Sequence, residues 1–178
     1  GFKPRPLAGL PAGSIGSMAF RPGADELAFT VNSAQGPSQV FTVDLASGQV
    51  AQWTRAYAPP GVDMAQFSDQ RIVTWPSFDG RTISGLMNMP PPRFTGRRPV
   101  LIDIHGGPEA QAKVGFMGRY NYLIQEMGLA VIQPNVRGST GFGKSFTELD
   151  NGFQREDAVK DIGALLDWIA RQPDLDAS

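Results

Sequence analysis

Apolar and polar residues alternate in short runs over the first third of the chain. Between residues 14 and 54 the alternation predicts strands at 15–21, 26–32, 39–45 and 49–54. Phe20-Arg21-Pro22-Gly23-Ala24-Asp25 and Asp44-Leu45-Ala46-Ser47-Gly48 carry the turns, because proline presets one turn position and glycine accepts positive φ. Four strands joined in this way form one antiparallel sheet. About forty residues, with an Asp-Leu-x-x-Gly turn ahead of the last strand, is the size and rhythm of one β-propeller blade. A free-standing meander is the plainer reading, and only one copy of the unit is present.

The pattern then changes. Residues 55–69, with Ala58-Pro59-Pro60-Gly61, have little periodicity and read as a linker. Strands are expected at 70–76 and 81–89 around the turn Phe78-Asp79-Gly80, followed by a polar loop over 90–98. Next come an apolar strand at 100–104 interrupted by Asp103, a helix at 119–127 and a strand at 129–136, which together make a strand, helix, strand crossover. The clearest helix spans 154–172. Val159, Ile162, Leu165, Leu166 and Ile169 recur on its apolar face, Glu156 and Lys160 stand at i,i+4, and Pro173 ends it. This half is α/β in style.

Composition narrows the function classes. With 178 residues, 41% hydrophobic and 19% charged, the chain suits one globular domain or parts of two. Sixteen basic against seventeen acidic residues leave no excess to neutralise phosphates, so no nucleic-acid partner is expected. Trp53, Trp75 and Trp168 accordingly read as packing residues. The absence of cysteine excludes disulfides and thiol catalysis. No stretch reaches the roughly 18 apolar residues of a membrane span, and no membrane partner is expected. Localisation stays open between cytoplasm and periplasm. Asp103, Glu109, Glu156 and Asp157 lack accompanying His or Cys ligand spacing, so neither metal nor cofactor is assigned.

The chemistry lies in His105-Gly106-Gly107-Pro108, directly after the strand expected at 100–104. A tetrahedral intermediate of acyl transfer needs backbone N–H donors aimed at its oxyanion, and glycine allows the close approach that a Cβ blocks. The loop after the third strand of an α/β-hydrolase sheet supplies one such donor. The competing reading is a tight turn with His105 as a satisfied polar residue. His105 is the single histidine, so no second imidazole is available as general base. Gly138 to Ser145 fit the phosphate-loop pattern Gly-x-x-x-x-Gly-Lys-Ser, but Asp150-Asn151-Gly152 interrupts the helix that such a loop must enter. Neither Ser139 nor Ser145 has the flanking glycines of a nucleophile elbow.

His105-Gly106-Gly107-Pro108-Glu109, the run Gly118 to Leu123, the run Pro134 to Gly143, and the run Arg155 to Asp161 together resemble the prolyl oligopeptidase family of serine peptidases, especially its acylaminoacyl-peptidase and dipeptidyl-peptidase-like members. The resemblance is strong over 70–178, and the 14–54 sheet is similar to the last propeller blade of those enzymes. It implies the N-terminal half of an α/β-hydrolase domain preceded by one four-stranded antiparallel β-propeller blade: blade over 1–54, linker over 55–69, peptidase domain over 70–178. It implies Gly107 as an oxyanion donor, with His105, Gly106 and Pro108 shaping the loop and Arg137 and Gly138 as scaffold. The triad Ser, Asp and His of the family lie beyond the matched residues. The expectation is therefore a fragment, or one chain of a processed or split enzyme, that is inactive alone. Its expected partners are a short peptide substrate and a complementary chain carrying the triad, with self-association as a further possibility. The alternatives are a non-catalytic interaction module and a nucleotide-binding protein.

Overall fold

The computed structural model describes residues 3–107 and 109–178. The chain divides into two compact units, one holding residues up to 67 with 114–118, the other 68–113 with 119–178. The division falls inside the segment expected as linker, which also contains a short 3-10 turn, Met64–Gln66, capped by the Asp63 side chain.

The first unit is a four-stranded antiparallel sheet in the order β1-β2-β3-β4: Ser14–Phe20, Glu26–Ser33, Gly36–Asp44 and Val50–Gln52. Strand alternation puts Phe29, Val31 and Val43 on one buried face, with the Phe29 and Phe41 rings stacked 5.9 Å apart. The β3–β4 turn closes as its sequence requires. Gly48 takes φ +76°, and Asp44 Oδ1 accepts from the Ser47 N–H at 2.7 Å, which holds the Asp44 carboxyl below its ordinary range. Val114–Gly118 joins this unit by sequence-distant bonds: Ser14 Oγ donates to Val114 O (2.7 Å) and the Phe116 N–H to Asn32 Oδ1 (3.1 Å). Trp53 departs from expectation. It lies exposed beyond the end of β4, its indole N–H on Thr42 Oγ1 at 3.0 Å.

The second unit is a five-stranded mixed sheet in the order β5-β6-β8-β7-β9. Its strands are β5 Gln70–Pro76, β6 Thr82–Asn88, β7 Arg98–Ile102, β8 Ala130–Asn135 and β9 Leu175–Asp176, with helices α1 Tyr120–Gln125, α2 Lys144–Thr147 and α3 Arg155–Arg171. The β5–β6–β8 ladder is antiparallel, whereas β7 runs parallel to both β8 and β9. The expected crossover is thus present, with α1 between two parallel neighbours. Trp75, Ile83, Met87, Ile132, Leu165, Ile169 and Leu175 form one core between sheet and α3. No helix among the described residues is long and apolar enough to cross a membrane.

Three local expectations are corrected. β7 ends at Ile102, so Asp103 lies just past the strand rather than within it, and Ile104 is exposed. On α3 the buried row is Asp161, Leu165 and Ile169, at i, i+4 and i+8, while Val159 and Leu166 are 68% and 53% exposed. At 3.6 residues per turn those two side chains sit roughly 100° round the helix from Leu165, outside the reach of the sheet. The Glu156–Lys160 pairing is replaced by Lys160 Nζ on Asp157 at 2.7 Å.

Candidate active site at the ends of β7 and β8

Parallel pairing sets the site. Val100 is opposite Ala130 and Ile102 opposite Ile132, so the loops leaving β7 and β8 emerge side by side at the carboxyl ends of their strands, where open α/β sheets place their ligands. The first loop carries His105, Gly106 and Gly107; the second begins at Asn135 and carries Arg137, Gly138 and Ser139.

Gly107 has φ +136°, and a Cβ there would stand 2.8 Å from the Glu109 nitrogen and 3.1 Å from the Ala110 nitrogen. Only glycine fits. Gly106 has open space around it, and both glycines are solvent-exposed. Pro108 lies outside the described residues. Three straps tie the first loop to the second. The Asn135 carboxamide accepts from the Ala112 N–H at 2.8 Å and donates to Ala112 O at 3.1 Å. The Thr140 N–H donates to Ala110 O at 2.9 Å. His105 Nε2 lies 2.9 Å from Ser139 Oγ.

That last distance is the distance of a serine–histidine dyad, but the surroundings differ from one. Ser139 is 0% exposed, so no substrate carbonyl can reach its oxygen. Its hydroxyl donates to Val136 O at 2.6 Å, and the Nδ1 side of the ring meets Gly106 O at 3.1 Å where a triad places a carboxylate. The pair joins two loops.

Beneath it, Arg137 anchors the second loop. Its guanidinium is buried and holds Asp161 of α3 (Nη2 to Oδ1, 2.8 Å) and Asp79 of the β5–β6 turn (Nη2 to Oδ1, 3.1 Å; Nη1 to Oδ2, 3.1 Å), with the Phe78 ring 4.6 Å from its Cζ. The Arg137 N–H also donates to Asp161 Oδ2 at 2.9 Å, and Ser77 Oγ donates to Asp161 Oδ1 at 2.5 Å. Hydrogen bonds donated to Asp161, against the opposing effect of burial, push the guanidinium pKa further up, and the Arg137 hydrogen bonds hold the Asp79 carboxyl below its ordinary value. Arg137 is therefore a cation at every pH at which the protein folds. Gly138 follows at φ +92°, and a Cβ there would overlap the carboxylate of wholly buried Asp150, which Arg155 pairs at 3.1 Å.

The phosphate-loop pattern does not become a phosphate loop. Gly143 leads into a helix of only four residues, and Lys144 points outward to pair with Glu148 at 3.6 Å. Asp103 has local partners, accepting from Gln133 Nε2 at 2.9 Å and Tyr120 OH at 3.3 Å. Glu156 and Asp157 occupy the first turn of α3, where they favour the helix dipole.

Sequence reasoning brought His105, Gly107, Arg137 and Gly138 to one end of the sheet. It missed Asn135 and Asp161, and it weighed Ser139 only as a nucleophile. The missing signal was the parallel offset of thirty residues between β7 and β8, which sets residues just past 102 beside those just past 132.

Residues 115–178 match the model of the prolyl oligopeptidase family. Dipeptidyl aminopeptidase BIII of Pseudoxanthomonas mexicana is 28% identical over 148 residues, covering 79% of this chain and 21% of that protein. Among solved structures, a puromycin hydrolase superposes with a TM-score of 0.74 at 25% identity, over 85% of this chain and 23% of its own. A prolyl endopeptidase superposes at 0.83 with 18% identity, over 97% and 25%, which is a likeness of fold. The chain thus spans about a fifth of the length of the curated relative it matches over most of its own length. Over the segment that carries Arg137, Ser139 and α3, this chain is therefore similar to the prolyl oligopeptidase family.

Proposed function

We propose that these residues supply the oxyanion-hole loop of a serine peptidase that hydrolyses short peptides by acyl transfer, with the nucleophile, base and orienting acid provided from outside the 178 residues. The observation that carries this reading is the Gly107 backbone, exposed at the carboxyl end of β7 and held in a conformation closed to any residue with a Cβ. An attacked peptide carbonyl gathers negative charge on its oxygen, and in this reading the Gly107 N–H donates to it. His105, Gly106 and Pro108 shape the loop, and Arg137 and Gly138 are its scaffold. The sheet of β1–β4 is read as the last blade of a propeller, and β5–β9 as the first five strands of an α/β-hydrolase sheet. Strand β9, added next to β7, then begins the strand that leads to the nucleophile.

A fluorophosphonate probe tests the division of labour. The 178-residue chain alone takes up no label, and joining it to a segment carrying Gly-x-Ser-x-Gly gives stoichiometric label on that segment. Label on Ser139 of the isolated chain contradicts the reading, because it would make the Ser139–His105 pair a working dyad.

A further inference from the structure

We propose that Ser139 is the positioning residue of the oxyanion loop, acting through the imidazole of His105. The proposal rests on the preceding reading for what the loop does, but the contact itself stands on geometry alone. His105 is the residue directly before the exposed Gly106 and Gly107, so fixing its ring fixes the entry to their peptide units.

The seat is built for one ring position. Ser139 Oγ lies 2.6 Å from Val136 O and 2.9 Å from His105 Nε2; with its single hydroxyl proton on Val136 O it accepts from an Nε2–H, which is the ring protonation the proposal requires. The serine cannot swing away. It is 0% exposed, its N–H donates to Val136 O at 3.0 Å, and two residues earlier the Arg137 N–H is tied to Asp161 of α3. A buried hydroxyl on a hydrogen-bonded backbone ties His105 to the second loop's framework. Asn135 and Thr140 hold only residues after the glycines, at Ala112 and Ala110. Ser139 holds the residue directly before them, and the next anchor upstream is Asp103, whose N–H donates to Ile132 O at 2.9 Å, so the Ser139 contact is the one that fixes the immediate entry to the Gly106–Gly107 segment.

The single histidine makes the test direct. In the 15N-labelled chain, the imidazole Nε2–H proton of His105 is sheltered and appears as a resolved signal, whereas an unbonded imidazole proton exchanges with water too fast to be seen. In Ser139→Ala the signal disappears and amide exchange at Gly106 and Gly107 rises by at least ~10-fold, while the amides of α3 and β8 keep their wild-type rates. Absence of the Nε2–H signal from the folded wild-type chain overturns the proposal, as does its persistence in Ser139→Ala. Should Ser139→Ala fail to fold, the wild-type signal and its magnetisation transfer to the Ser139 β-protons decide alone.

A second arm separates this proposal from the functional reading. In the peptidase reconstituted with a triad-bearing segment, Ser139→Ala lowers kcat on the order of 10-fold with KM little changed, since a loosened donor is lost mainly from the transition state. Unchanged kcat in Ser139→Ala alongside a strongly impaired Gly107→Ala refutes positioning by Ser139. Unchanged activity in Gly107→Ala instead refutes the oxyanion role and leaves the Ser139–His105 contact intact.

Discussion

Arg137 is 3% exposed, and its guanidinium, flanked by Asp161 and Asp79, has exchanged most of its water for fixed partners. Removing it leaves the wholly buried Asp161 carboxylate uncompensated, so Arg137→Ala is expected to destabilise the second unit by about 3–5 kcal/mol in urea unfolding. Arg137→Lys recovers only part of this, because an ammonium cannot span two carboxylates as the planar fork does. A loss below about 1 kcal/mol for Arg137→Ala would show that the pair is ornamental. The Asp79 carboxyl makes the same network sensitive to acid. Its pKa in the fold lies below the ordinary 3.8, so its contribution is present above that pH and lost as pH falls through the lowered folded value. Asp79→Asn should therefore flatten the acid limb of the stability profile while leaving its slope near neutral pH unchanged. At Gly138, strain and overlap with Asp150 act together, and Gly138→Ala is expected to cost more than about 2 kcal/mol. Glycines at 107 and 138 are plain in the sequence. Why each must be glycine is not, because the atoms that exclude a Cβ are the Glu109 and Ala110 nitrogens, brought back by the turn of the loop, in one case and the Asp150 carboxylate in the other.

Helix α3 shows where periodicity informs and where it misleads. Its length and start were legible from apolar spacing, and the buried residues Leu165 and Ile169 are on the expected face. Periodicity could not tell which of two adjoining apolar stripes meets the sheet, since Val159 and Leu166 are as hydrophobic as their neighbours. The polar residue Asp161 marks the buried row because Arg137, Ser77 and the Trp75 indole all converge on it (Trp75 Nε1 to Asp161 O, 3.1 Å). Two leucines in sequence therefore behave differently. Leu165→Ala is expected to cost about 2–5 kcal/mol, as for a buried leucine, and Leu166→Ala no more than about 0.5 kcal/mol in this chain. Equal losses in thermal or urea unfolding would place the helix in another rotation about its axis. The β-strands were more legible than the helix, because tight turns at Gly23, Gly48 and Gly80 fix where each one begins. β7 was overextended because Ile104 is apolar yet points to solvent.

Across the whole molecule, the alternating first third and the α/β remainder announced two architectures, and the chain does form two compact units. The assignment of Val114–Gly118 to the first unit was invisible, for it depends on bonds to Ser14, 100 positions away in sequence, and to Asn32, 84 positions away. Large apolar side chains remain in water on both units: Met18 and Phe20 on the outer strand β1, Val159 and Leu166 on α3. Strand β1 is also an unpaired edge, and β9 ends its sheet with only two residues. Exposed edges beside apolar surface favour association, so sedimentation velocity is expected to show concentration-dependent self-association of the isolated chain; a monodisperse monomer contradicts this. The account as a whole stands on Gly107. Its most direct test is peptide hydrolysis by the reconstituted peptidase with Gly107→Ala, whose Cβ displaces the loop and carries the N–H out of position, so that kcat should fall about 100- to 1,000-fold with KM little affected. A variant that hydrolyses peptides at the wild-type rate would contradict it.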